Sequence, residues 1–252
     1  MAGLGRGFDL VADLYDDIRP HYPDELYDAI DAVCRLGGAD VLDLAAGTGI
    51  ATRALLSRGA RVTALDPGEP MVRRLRSVSP AAAGVVGRAE QLPLRDNGFD
   101  LVTCATAWHW LDPAPTLEEL RRVSRPGGQV ALWWANHRWG DGIDWEDAQS
   151  AVHERWETER GSRPPSEAYN GVLPREAAAD LRARGLDVVV DTEFTWIRQL
   201  SREDHIRAVA THSDVIALGD QKQQFLDDIA AALDPWPVVT ERLWGPLVVA
   251  RL

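Results

Sequence analysis

The chain is poor in cysteine, methionine and lysine, and it contains no long hydrophobic run. Among its 252 residues there are two cysteines, Cys34 and Cys104. Two cysteines build no disulfide framework, so each reads as a small core residue and the default compartment is a reducing, cytoplasmic one. No stretch of 18 apolar residues occurs, which excludes a membrane-spanning helix of ordinary length. The segment Met1 to Asp17 is mixed and acidic, without the basic-then-apolar order of a secretory signal. Lys222 is the sole lysine; the remaining basic residues are arginines, and the net charge is −12. That balance argues against a long nucleic-acid footprint, which needs a basic face. No set of His, Cys, Asp and Glu has metal-ligand spacing, so no metal is expected. No Gly-x-Ser-x-Gly turn supports a serine nucleophile.

What is present is concentrated at residues 41–49, Val-Leu-Asp-Leu-Ala-Ala-Gly-Thr-Gly. An apolar strand carries Asp43, then turns through small residues into a helix from Ile50 to Arg58. Small residues let backbone N–H groups approach a ligand, and the helix N-terminus behind them favours negative charge. A second strand, residues 61–65, ends at Asp66. An acid in that place can accept two hydrogen bonds from a ribose diol. The pair suggests a nucleoside-bearing cofactor held across the carboxyl ends of two parallel strands. A dinucleotide would require G-x-G-x-x-G. Here Ala45, Gly47 and Gly49 are spaced by two, position 50 is Ile, and Asp43 would sit badly beside a pyrophosphate.

Strands and helices alternate over residues 40–135, the pattern of a doubly wound α/β sheet. The spacing predicts a helix from Asp24 to Leu36 and strands at about 40–44, 61–65, 84–87, 99–105 and 129–135. Helices are predicted at about 48–58, 69–78 and from Asp112-Pro113 to Ser124. The Phe99–Ala105 strand is apolar on both faces, as a central parallel strand should be. The alternation then loosens. Helical patterns recur at 145–156, 174–184, 201–210 and 220–233, with a long strand at 187–198 and a last one at 247–252. Ser201-Arg202-Glu203-Asp204 has the form of a capping box. Ten tryptophans are many for this length. Seven lie within residues 108–156, either as core filling or as walls of a pocket for a flat or apolar ligand.

With these elements in place the chain resembles the class I S-adenosylmethionine-dependent methyltransferases, in their small-molecule branch. That family's glycine turn reads roughly Leu-Asp-Leu-Gly-Cys-Gly-Thr-Gly; here it is Leu42-Asp43-Leu44-Ala45-Ala46-Gly47-Thr48-Gly49. Ala89-Glu90-Gln91-Leu92-Pro93-Leu94, Gly98-Phe99-Asp100 and Arg125-Pro126-Gly127-Gly128 follow in the family's order. The resemblance implies a seven-stranded, mostly parallel sheet with an antiparallel last strand. It implies one domain over 1–252: an N-terminal helical segment at 1–39, a cofactor-binding core at 40–135, and helical insertions at 136–173 and 200–234 that form a lid. It implies S-adenosylmethionine as cofactor, S-adenosylhomocysteine as its product, and no metal. The cofactor-binding candidates are Arg19, Asp43, Ala45, Gly47, Thr48, Gly49, Asp66, Pro67, Ala89, Glu90 and Ala105. Arg19, in Tyr15…Arg19-Pro20…Tyr22-Pro23, would meet the cofactor carboxylate, and Tyr15 or Tyr22 would close over it. Ala45 stands where the family has its first glycine, so contact there is expected to be looser or shifted.

The acceptor is expected to be a small molecule methylated on oxygen, in specialised metabolism, with no nucleic-acid or membrane partner. His109, just after the fourth strand, and His137, after the fifth, are the candidate catalytic residues. Both also have plain structural readings. Tyr22, Trp108, Trp110, Asn136, Trp139 and His212 are the substrate-binding candidates. His21, His153 and His205 read as loop or surface residues. An alternative keeps the cofactor but performs another reaction, such as a cyclisation or rearrangement; a further one is a non-enzymatic cofactor-binding module. Oligomeric state is not legible.

Overall fold

A computed structural model describes residues 12–138, 142–160 and 172–252. These residues fall into two compact units. The larger holds residues 21–135, 172–194 and 244–252, and the smaller holds 12–20, 136–138, 142–160 and 195–243.

The sheet has strands β1 (Asp40–Leu44), β2 (Arg61–Asp66), β3 (Ala83–Val86), β4 (Phe99–Ala105), β5 (Ser124–Trp133), β6 (Asn136–His137), β7 (Asp187–Ser201) and β8 (Val238–Arg251). Their order is β3-β2-β1-β4-β5-β8-β6, and β7 also pairs with β8. The pairings β1–β2, β1–β4, β2–β3 and β4–β5 are parallel, whereas β5–β8 is antiparallel. This is the expected doubly wound, mostly parallel sheet. It carries one strand more than the expected seven, because Asn136–His137 forms a two-residue strand of its own.

Within the larger unit, alternating side chains feed two cores. Leu42, Leu44, Val102, Cys104, Val130 and Leu132 enter one, and Val41, Leu101, Ala131 and Trp133 enter the other. Period-two alternation with both sets apolar means that both faces of the central strands are covered. Asp112 caps the helix Pro113–Val123 by accepting the Ala114 N–H at 3.2 Å, with Pro113 in its first turn.

Some boundaries differ from expectation. The helix that starts at Asp24 ends at Asp31, not Leu36. The Asp31 carboxylate accepts the Leu36 N–H at 2.6 Å, and a side-chain turn replaces the final helical turn. Cys34 therefore lies past the helix, half-buried against the second core. Strand β8 begins at Val238, nine residues before the expected start at 247. Gly245 lets it pass a neighbour: a Cβ there would lie 1.7 Å from the Trp134 carbonyl oxygen.

The smaller unit has its own core, made by Trp145, Val152, Trp156, Val209, Val215, Phe225, Ile229 and Leu233. Its helices are Ala12–Ile18, Asp144–Arg160, Arg202–Val209, Ser213–Ile216 and Lys222–Ala232. Ser201 caps the third by accepting the Asp204 N–H at 3.0 Å. No helix among the described residues is long and apolar enough to cross a membrane.

Candidate cofactor site and its surroundings

Three residues of the turn after β1 have left-handed backbone: Ala45 (φ 53°), Gly47 (φ 56°) and Gly49 (φ 89°). The turn is fastened to β2. Ala46 N–H donates to the Leu65 carbonyl at 3.0 Å, and Gly47 N–H donates to Asp66 Oδ2 at 2.9 Å. Asp66 Oδ1 accepts the Gly68 N–H at 2.8 Å. An ionised carboxylate only accepts, so a ligand at Asp66 has to present donors, as a ribose diol does. A Cβ built at Gly47 would meet nothing within 4 Å, whereas one at Gly49 would lie 3.0 Å from the Leu75 side chain. Thus the first glycine faces open space and the second permits tight helix packing. The Thr48 hydroxyl is buried without a protein partner.

Asp43 is wholly buried. Thr52 Oγ1 donates to its carboxylate at 2.6 Å and Thr103 Oγ1 at 2.9 Å. Desolvation pushes its pKa up to about 6 against the pull of these two hydroxyls, and the Asp66 charge adds to the rise. Thr103 sits opposite Asp43 in the β1–β4 register, a pairing that one-dimensional spacing does not reveal.

Farther along, Pro67 is exposed, Ala89 and Leu92 are buried, and Ala105 is half-buried at the end of β4, opposite Trp133. Glu90 is half-buried, 3.5 Å from Arg88, and accepts the Asp112 N–H at 3.4 Å. Trp108, His109 and Trp110 form a single 3₁₀ turn. Trp108 is fully buried in the first core, and Trp110 is half-buried beside it. The His109 ring lies 4.8 Å from that of Trp110. Trp134 Nε1–H donates to His109 Nδ1 at 3.1 Å. An indole only donates, so Nδ1 is the acceptor and the neutral ring carries its proton on Nε2. Burial pulls the His109 pKa down to about 4. Tyr22 shares a 3.0 Å hydrogen bond with Thr106 Oγ1. Its ring meets Tyr27 and Trp133 edge-on, with centroids at 6.5 and 5.7 Å.

The remaining candidates lie in the smaller unit, except Trp139, which falls outside the described residues. Arg19 donates to the Thr211 carbonyl at 2.7 Å and stacks over the Tyr15 ring at 4.9 Å; its Nε is buried without a partner. The His137 and His212 rings lie 5.7 Å apart. Burial pulls His137 down to about 4 and His212 well below the usual imidazole range. Asn136 Nδ2 is buried without a partner. His205 is not the surface residue expected. It is buried between Glu241 Oε1 at 2.7 Å and Gln149 Oε1 at 2.6 Å, while Arg198 holds the other Glu241 oxygen. Partners 36 and 56 positions away in sequence explain why local pattern missed it. Among the described residues no group of three or more His, Cys, Asp or Glu could hold a metal ion.

The fold and the turn define a doubly wound α/β protein with a glycine turn after its first strand, and comparison with known proteins narrows the class. A model of the methyltransferase domain matches residues 42–132. An uncharacterized methyltransferase of Schizosaccharomyces pombe is 30% identical over 224 residues, 88% of this chain and 84% of that protein. One from Mycobacterium tuberculosis is 44% identical over 131 residues, 52% of this chain. The match spans about half of that protein's length, 53%. A solved structure from Anaeromyxobacter dehalogenans, assigned as a type II methyltransferase, superposes with a TM-score of 0.66 at 25% identity, covering 92% of this chain and 97% of that one. The [4+2]-cyclase SpnF shares the fold alone, with a TM-score of 0.58 at 18% identity, over 98% of this chain and 94% of that one. The chain belongs to the class I S-adenosylmethionine-dependent methyltransferase family.

Proposed function

We propose that this chain binds S-adenosylmethionine at the 43–49 turn and catalyses methyl transfer to an oxygen of a small-molecule acceptor. The observation that carries this reading is Asp66. It closes β2 beside the turn, accepts the Gly47 and Gly68 N–H groups, and stands where an acid of such a fold accepts a ribose diol. The open space over Gly47 and the unpartnered Thr48 hydroxyl fit the same cofactor. Buried Asp43 supplies negative charge behind the turn for the methionine ammonium. Ala89, Glu90 and Leu92 serve the adenine.

The cofactor's sulfonium supplies a methyl group with a good leaving group already attached. The chain must align the acceptor, exclude water and, for some acceptors, remove a proton. His109 is suited to holding an oxygen. Its Nδ1 lone pair is engaged by Trp134, so its Nε2–H is a donor, and a pKa of about 4 makes it a poor base at neutral pH. An acceptor that arrives ionised, such as a carboxylate, needs no base. The net charge of −12 supports a small-molecule acceptor over a nucleic acid.

Calorimetry with S-adenosylhomocysteine tests the cofactor reading. The wild-type chain is expected to bind. Asp66→Ala should weaken binding by about 1.5–3 kcal/mol, the usual worth of hydrogen bonds to a charged group. An unchanged affinity would remove Asp66 from the site, and no binding by the wild type would remove the cofactor. Mass spectrometry of co-purifying molecules, followed by incubation with methyl-labelled S-adenosylmethionine, tests the transfer. A second reading, a repurposed fold such as the one SpnF shares, predicts conversion of the co-purifying molecule with no gain of label.

A further inference from the structure

We infer that Thr106 is a positioning residue that holds Tyr22 at the carboxyl ends of β4 and β5 and thereby sets affinity for the cofactor; this rests on the function proposed above. Thr106 is the first residue after β4, and its φ is 53°. A β-branched residue in the left-handed region is a genuine outlier, and such strain persists only where neighbours over-determine it. Here three polar contacts do so. The Thr106 N–H donates to the Trp133 carbonyl at 2.7 Å. The Thr106 hydroxyl accepts the Ala135 N–H at 3.1 Å. The same hydroxyl shares the 3.0 Å bond with Tyr22 Oη.

Each contact has a purpose in the geometry. The two contacts to residues 133 and 135 tie the exit of β4 to the exit of β5, which are paired through Ala105 and Trp133. The third reaches 84 residues back along the sequence to the N-terminal segment. Tyr22 is then fixed at both ends, its ring by edge-on contacts with Tyr27 and Trp133 and its hydroxyl by Thr106. In open α/β sheets ligands bind just outside the carboxyl ends of the strands. A tyrosine fixed there is a wall of that crevice. A threonine supplies both the hydroxyl that makes the clasp and the β-branch that stiffens it. Glycine would accept the backbone conformation more readily, so the retained hydroxyl is the reason to bear the strain.

The test is a double-mutant cycle on S-adenosylhomocysteine affinity, using Thr106→Val, Tyr22→Phe, the double variant, and Thr106→Ser. Valine keeps the β-branch and removes the hydroxyl; phenylalanine removes only the Tyr22 hydroxyl. Each single variant should bind roughly tenfold more weakly, as expected for one lost hydrogen bond. The double variant should be no weaker than Thr106→Val, because both substitutions break the same contact. Thr106→Ser should restore affinity to within about twofold of wild type. Melting temperatures recorded alongside distinguish a merely structural role, which would lower them and leave affinity intact. Losses that multiply in the double variant overturn the inference, as does wild-type affinity in Thr106→Val. If Thr106→Val does not fold, wild-type affinity in Tyr22→Phe overturns it alone, and a tenfold loss there with Thr106→Ser intact upholds it. A wild-type chain that fails to bind S-adenosylhomocysteine overturns the functional reading first, and this inference with it.

Discussion

Ala45 holds a backbone conformation that an L-residue adopts at a cost of roughly 1–2 kcal/mol. The methyl group that causes the cost also packs against the first core. Glycine at this position would remove the steric penalty but lose about 0.5–1 kcal/mol through greater freedom of the unfolded chain. The balance predicts that Ala45→Gly leaves stability unchanged or raises it by up to ~1 kcal/mol, read by urea unfolding at pH 7. A clear loss would mean that the methyl contact outweighs the strain. At this scale the site is only partly legible in sequence. Asp43, Gly47 and Gly49 stand together within seven letters, and Asp66 follows at the end of the next strand. The groups that fix them do not. Thr103 reaches Asp43 through strand register, Trp134 reaches His109 from just past the end of β5, and Thr106 reaches Tyr22 across 84 residues of sequence. None of these pairings has a fixed sequence offset, so no motif announces them.

Among the elements, a buried polar network joins several segments of the smaller unit. Glu241 on β8 takes His205 from the helix Arg202–Val209 and Arg198 from β7; His205 takes Gln149 from the helix Asp144–Arg160. Arg198 also donates to the Ile18 carbonyl at 2.6 Å. Five segments therefore share one carboxylate and its partners. Burial alone would raise the Glu241 pKa, but the hydrogen bonds from His205 and Arg198 hold it at about 2. Removing one member of such a group leaves the others buried without compensation. Glu241→Ala is thus expected to cost about 3–5 kcal/mol. The exposed pair Arg202–Asp234 provides the contrast, and Asp234→Ala should cost no more than about 1 kcal/mol. Equal melting shifts in the two variants would contradict the network's role. The same contrast explains which elements sequence reveals. Central strands such as β4 are apolar on both faces because both faces are covered, so their pattern names their place. The helices of the smaller unit add long-range polar contacts to their apolar core, and a residue such as His205 reads as a surface one until its partners are known.

For the molecule as a whole, two buried acids oppose each other in their response to pH. Glu241 titrates below an ordinary glutamate, so its contribution is complete above about pH 4.5 and is lost as pH falls toward 2. Asp43 titrates above an ordinary aspartate, at about 6, so the folded chain holds its proton more tightly than the unfolded chain does. Stability is therefore lost as pH rises from about 4 through 6, by roughly 3 kcal/mol for a shift of about two units. Self-repulsion acts in the same direction, since the chain is near neutral at its pI of about 4.9 and carries −12 at pH 7. The ligand-free chain should then be most stable near pH 4–5, below the usual range. Asp43→Asn separates the local cause from the global one. It removes the buried charge, keeps a group that can bond Thr52 and Thr103, and barely changes the net charge. Urea unfolding at pH 4.5 and 7.5 should show the variant gaining on wild type by roughly 2 kcal/mol between the two. An unchanged difference would mean that the downslope is carried by surface charge. A gain that disappears when S-adenosylhomocysteine is added would place the cofactor's ammonium close enough to Asp43 to stabilise its ionised form.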